Sequence, residues 1–123
     1  MRRRTLAVVA TVLATLFLST ACGDEDKPTD SGGSTDAKVI EVTFEGDSVS
    51  PNGERVEVSA GQDIELHVTA DEAGEIHVHS SPEQELAYAA GESTVTIKGI
   101  NQPGVVEVES HALDQVIIQL EVR

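Results

Sequence analysis

Basic side chains are scarce in this chain. Eight Lys and Arg stand against 22 Asp and Glu in 123 residues, a formal charge of −14. Nucleic acid and anionic membrane surfaces both require a basic patch that releases counterions from phosphate, so neither is expected as an electrostatic partner. Aromatic residues are fewer still: Phe17, Phe44 and Tyr88 are the full set and tryptophan is absent, which leaves no platform for stacking single-stranded bases. One cysteine, Cys22, rules out an intramolecular disulfide, a CxxC redox pair and a zinc site built from several thiolates. The only methionine is the initiator, Met1. A long hydrophobic run is missing too. Leu6 to Leu18 is an uncharged stretch of 13 residues, whereas a helix crossing about 30 Å of hydrocarbon takes about 20.

That short apolar run follows Arg2, Arg3 and Arg4, the positive n-region and hydrophobic core of a signal peptide. Ser19, Thr20 and Ala21 then lead into Cys22, and the segment resembles a bacterial lipoprotein signal. It departs from that pattern in one respect: Leu18 stands four residues before the cysteine, where the family places its leucine three before. The resemblance implies cleavage after residue 21, with Cys22 diacylated as the mature first residue. Two acyl chains suffice for stable attachment, whereas one is marginal. An ordinary secretory signal with Cys22 left as a free thiol, or an uncleaved anchor, are the other readings of the same residues. Loss of residues 1–21 removes three arginines and no acid, leaving 5 basic against 22 acidic side chains. Such a surface is soluble, self-repelling and attractive to cations.

Residues 22–37 are expected to be the lipidated cysteine and a flexible acidic tether. From Gly23 to Ala37 no aliphatic residue is larger than alanine, so the segment cannot bury enough apolar surface to offset chain entropy. From Lys38 to Arg123 the character changes: 13 Val and 7 Ile stand against 4 Leu. That β-branched bias, with period-2 alternation, favours strands. Ile40, Val42 and Phe44 share one face, as do Val56 with Val58, Ile64 with Leu66 and Val68, and Ile76 with Val78. Val95 with Ile97, Val106 with Val108, and Val116 with Ile118, Leu120 and Val122 complete the inward sets. Turn residues separate them at Pro51-Asn52-Gly53, Ala60-Gly61-Gln62, Asp71 to Gly74, Ser81-Pro82, Ala90-Gly91 and Pro103-Gly104. The expectation is an all-β Greek-key sandwich of about seven strands over residues 38–123. Pro82 to Ala90 has room for a turn or two of helix.

Histidines and carboxylates carry the candidate chemistry. In Glu75-Ile76-His77-Val78-His79 the two aliphatic residues point one way and Glu75, His77 and His79 the other. Residues two apart on a strand are about 7 Å apart at the backbone, so two imidazoles there can converge on one ion. The later strand repeats the pattern, with Glu107, Glu109 and His111 opposite Val106 and Val108. If both segments meet at one end of the sandwich, His77, His79, His111 and Glu109 would surround a cation. Glu107 lies further from that end. The same residues are also what a sheet face turned to water carries, and His67, between Glu65 and Thr69 in position, fits that description. Imidazole suits copper, zinc, nickel or iron.

Glu57-Val58-Ser59-Ala60-Gly61-Gln62-Asp63-Ile64-Glu65-Leu66 resembles the second and third strands of a cupredoxin with the glycine turn between them. Gln102-Pro103-Gly104-Val105-Val106-Glu107-Val108-Glu109-Ser110-His111 is similar to that family's closing PGxYxFxC segment. The likeness spans roughly residues 39 to 122. It implies a cupredoxin-like fold, but blue-copper centres need a cysteine thiolate with two histidines and usually an axial methionine. Near the thiolate position this chain has Glu109, Ser110 and His111. The resemblance therefore implies a subgroup that would bind copper without a thiolate.

No GxSxG elbow or phosphate-binding glycine loop surrounds any serine of the folded part. Ser80 beside His79 and Ser110 beside His111 are strand neighbours that point to opposite faces. The expectation is a protein that is not an enzyme: a lipid-anchored, extracytoplasmic cupredoxin-like metal binder on the cell membrane. Copper is the expected ion, with zinc, iron or none as the alternatives, and its role is capture, delivery or buffering. The other reading is a metal-free β-sandwich interaction module presenting a sheet edge or an acidic face to an envelope protein.

Overall fold

The computed structural model describes residues 36–123. The expected signal peptide, the expected lipidation at Cys22 and all but the end of the expected tether lie outside the described residues. Nine strands run in chain order: β1 (Lys38–Glu45), β2 (Ser48–Ser50), β3 (Glu54–Val58), β4 (Ile64–Ala70), β5 (Gly74–Val78), β6 (Gln84–Tyr88), β7 (Gly91–Ile97), β8 (Gly104–Ser110) and β9 (Gln115–Val122). There is no helix among the described residues.

Four strands form one sheet in the order β2-β1-β4-β7 and five form the other in the order β3-β9-β8-β5-β6. The chain changes sheets between β2 and β3, at Pro51 to Gly53, and returns at the turn between β3 and β4. As a result β1 and β4 pair in parallel, as do β3 and β9. This is the all-β sandwich of two sheets that the sequence implied. It has nine strands rather than about seven. The two additions are short edge strands, β2 and β6. β6 occupies the stretch that had room for helix: Val78 pairs with Gln84 and Gly74 with Tyr88 across a hairpin turning at Ser81-Pro82.

Alternation of side chains drives the two sheets together. Ile64, Leu66, Ile76, Val78, Ile97, Val108, Ile118 and Leu120 are all fully buried, each contributing on the order of 1.5–3 kcal/mol relative to an exposed position. Phe44 of β1 stacks on Tyr88 of β6 with ring centroids 4.7 Å apart and planes 8° from parallel, tying the edge strand of one sheet to the interior of the other. The strict alternation expected for the last strand breaks once. A bulge between β8 and β9 at Val108/Glu109 buries Ile117 and Ile118 side by side, and Val116 is left half-buried. A bulge adds one residue to a strand, so two consecutive residues can face the core.

The turn between β3 and β4 depends on glycine. Gly61 has a φ of 79°, a region costly for residues with a Cβ. Its N–H donates to the Ile100 carbonyl at 2.9 Å, and a Cβ on Gly99 would run into the Gly61 backbone. This contact draws the β3–β4 turn and the β7–β8 loop together at one end of the sandwich.

The interior position of β4 in its sheet gives a direct test of the core. Leu66→Ala should lower the unfolding free energy by about 2–5 kcal/mol, read from the urea midpoint. Thr69→Ala, on the exposed face of the same strand, should change it by no more than about 0.5 kcal/mol.

Candidate metal centre

The buried pair Ile76 and Val78 turns the odd-numbered residues of β5 outward. His77 is half-buried and His79, just past the strand end, is exposed. Their rings lie with centroids 4.5 Å apart and planes tilted by 35°. The hairpin to β6 then brings in Glu83, immediately before that strand, whose Oε2 lies 3.3 Å from His77 Nε2. One ligand atom from each of His77, His79 and Glu83 lies within 4.8 Å of the others. Metal–donor bonds of about 2.0–2.2 Å need the three somewhat closer together, a movement within reach of small side-chain rotations where Glu83 is 63% exposed.

On the other side of β5 stands β8, with His77 directly opposite Glu109. The Glu109 carboxylate reaches diagonally to His79, where Oε2 lies 2.7 Å from Nε2. Diagonal neighbours across a strand pair are within reach of long side chains. Glu109 holds the His79 imidazolium through this hydrogen bond, so His79 titrates above the ordinary histidine value. Partial burial opposes the effect, and the charges of Glu109, Glu83 and Glu107 add to it.

His111 does not join this group. β5 and β8 are antiparallel, so the residues just beyond their carboxyl ends lie at opposite ends of the pair. His79 N–H donates to the Glu107 carbonyl at 2.9 Å, and His111 N–H to the Glu75 carbonyl at 3.1 Å. Relative to Glu109, His79 is thus on one side along the strands and His111 on the other. Of the four residues singled out from sequence, the fold gathers His77, His79 and Glu109, and leaves His111 exposed beside the β8–β9 turn.

Glu83 is the member that sequence reading missed. Its signal was the hairpin: once residues 74–78 and 84–88 pair about Ser81-Pro82, Glu83 falls beside His79 and Glu85 opposite His77. A helical turn over 82–90 would have hidden both placements.

Two further positions matter. His67 lies on the outer face of the other sheet, with Nδ1 3.1 Å from Glu41 and Nε2 3.7 Å from Glu65. Two carboxylates on opposite ring nitrogens do not converge on a common point, and His67 is a solvated residue of that face. Ser110, near the position where the cupredoxin resemblance would put a thiolate, is buried with 1% exposure. Its Oγ accepts the Leu113 N–H at 3.2 Å and its carbonyl accepts the Asp114 N–H at 3.0 Å. Asp114 has a φ of 54°, so Ser110 serves to close the tight β8–β9 turn.

No family model matches the chain, and no curated protein matches it. Among solved structures, the sodium-dithionite-reduced auracyanin from the photosynthetic bacterium Roseiflexus castenholzii is similar. That likeness covers 75% of this chain and 99% of the other, at 14% identity and a TM-score of 0.48.

The hydrogen bond to Glu109 sets a titration that NMR can follow. In the metal-free chain the His79 ring protons should titrate above the ordinary value of 6.5, and Glu109→Gln should bring the midpoint down. Because the folded-state value is raised, the pair's contribution to stability is fully present below the unfolded value of about 6.5. It is lost as pH rises through the folded value. A His79 midpoint unmoved by Glu109→Gln would show the carboxylate to be only a neighbour.

Proposed function

We propose that this chain is a membrane-anchored extracytoplasmic protein that binds a divalent metal, copper foremost, without a thiolate, and that it captures, delivers or buffers that metal. The observation that supports this reading is the convergence of His77, His79 and Glu83, with Glu109 hydrogen-bonded to His79. Two imidazoles and a carboxylate form a borderline-to-hard donor set suited to Cu(II) or Zn(II), and the surrounding carboxylates favour a dication. Neutral imidazole is the ligand form, so protons compete with the metal at His79 and binding weakens on acidification. The anchor would be the acylated Cys22, and zinc or iron are the other candidate ions.

A second reading has its own support. Each imidazole already has a carboxylate partner, Glu83 for His77 and Glu109 for His79, so with no ion neither ring lacks a hydrogen-bond partner. In that case the domain is an interaction module that presents an acidic sheet face to an envelope protein.

Calorimetric titration of residues 36–123, which contain the sandwich, with Cu(II) and Zn(II) separates the two. A single site of micromolar or better affinity is expected. His77→Ala and His79→Ala should each weaken it at least tenfold, about 1.4 kcal/mol, while His111→Ala leaves it unchanged. Weak multi-site binding indifferent to all three substitutions would establish the metal-free reading instead. Attachment is tested separately: Cys22→Ser should abolish incorporation of labelled fatty acid and shift the chain from the membrane to the soluble fraction. A variant that stays acylated or membrane-bound would refute the lipid anchor.

A further inference from the structure

Residues 36–123 contain neither cysteine nor methionine. The donors that converge among the described residues are nitrogen and oxygen alone: His77, His79 and Glu83, with Glu109 against His79. Building on the metal-binding reading above, we infer that this site discriminates between copper oxidation states, holding Cu(II) and surrendering the ion when it is reduced to Cu(I).

Three observations combine to give this selectivity. The first is donor chemistry. Carboxylate oxygen suits a divalent ion, whereas Cu(I) is drawn to soft thiolate and thioether ligands, which this domain does not offer. The second is charge: Glu85 pairs with His77 on one side, and Glu107 and Glu109 flank His79 on the other. Loss of one unit of metal charge removes much of the attraction that this surround supplies. The third is access. The side chains of His79 and Glu83 are 39% and 63% exposed, so a small reductant and a soft acceptor can both reach the ion without any opening of the sandwich.

The step balances simply. One electron passes from a reductant of the ascorbate class to Cu(II), giving Cu(I) and the ascorbyl radical anion, and the proton that the ascorbate monoanion loses goes to solvent. The bonds from copper to the imidazole nitrogens and the carboxylate oxygen are released, and no residue of the protein changes oxidation state. Vacated, the histidines recover the partners seen in the structure, His77 with Glu83 at 3.3 Å and His79 with Glu109 at 2.7 Å. These pairs favour release, because the emptied ligands are not left unsatisfied.

The test uses the full chain in detergent with Cys22→Ser, which removes its only thiol. One equivalent of Cu(II) is loaded, and bicinchoninate reports Cu(I) under anaerobic conditions with and without ascorbate. Ascorbate should transfer the copper stoichiometrically to bicinchoninate, with Cu(I) affinity at least about a hundredfold below that for Cu(II). Glu83→Gln supplies an independent readout: it should weaken Cu(II) about tenfold and leave Cu(I) affinity unchanged, since only the hard donor is lost. Copper retained after reduction, or the same loss for both ions in Glu83→Gln, would overturn the oxidation-state selectivity while leaving the metal site intact. Failure to bind Cu(II) at all would remove the metal-binding reading itself, and this inference with it.

Discussion

The burial of Ile76 and Val78, both at 0% exposure, governs everything on the outer face of the five-stranded sheet. Side chains along a strand alternate between faces, so a shift of one residue in register would expose two β-branched residues and bury two histidines beneath the sheet. Burying imidazoles without partners would cost several kcal/mol. Hydrophobic burial therefore specifies the register of β5 against β6 and β8, and the placement of His77 and His79 follows from it without any interaction of their own. The carboxylates are positioned by the same register. Glu109 stands opposite His77 because Val108 stands opposite Val78, and Glu83 reaches the group because Gln84 pairs with Val78.

This dependence explains how much of the molecule could be read from its residues. Core positions were legible because they obey period 2: Val42, Phe44, Ile64, Leu66, Val68, Ile76, Val78, Ile97, Val106 and Val108 are all buried. The last strand was less legible, since the bulge at Val108/Glu109 is a product of pairing and leaves no mark in the strand's own alternation. The site lay between these extremes. His77 and His79 belong to one short strand, so their common face is a local property. Whether Glu83, Glu109 or His111 joins them depends on which strands pair and in which direction, and that is non-local information. The direction of β8 relative to β5 carries His111 away, and the hairpin about Ser81-Pro82 brings Glu83 in.

Electrostatics shape the face as strongly as packing does. Of its 22 acidic residues the chain sets Glu75, Glu83, Glu85, Glu107 and Glu109 around two histidines, and the His79 imidazolium tempers their repulsion. The hydrogen bond from His79 to Glu109 is the local expression of this balance, and it is why the His79 proton is held more tightly than usual. Under the proposed metal-binding reading, an ion and a proton would be alternative answers to the same excess of negative charge and would compete for one site.

The interior offers no comparable place. Between the sheets the buried positions are aliphatic apart from the Phe44–Tyr88 stack, and Ser110, the buried polar residue there among the described residues, commits its hydroxyl and carbonyl to the β8–β9 turn. An ion placed there would give up its hydration for almost no donors, at an effective cost of several kcal/mol. On the outer face the donors are supplied by strand alternation, and solvent screens whatever charge remains unpaired. Exposure carries its own consequence. Under the proposed metal-binding reading, an ion at a centre open to water would exchange more readily than one sealed between sheets, which suits passing metal on better than keeping a permanent cofactor. A thiolate-free donor set is the corresponding chemical choice, because the soft ligands that would hold Cu(I) most firmly are the ones residues 36–123 do without.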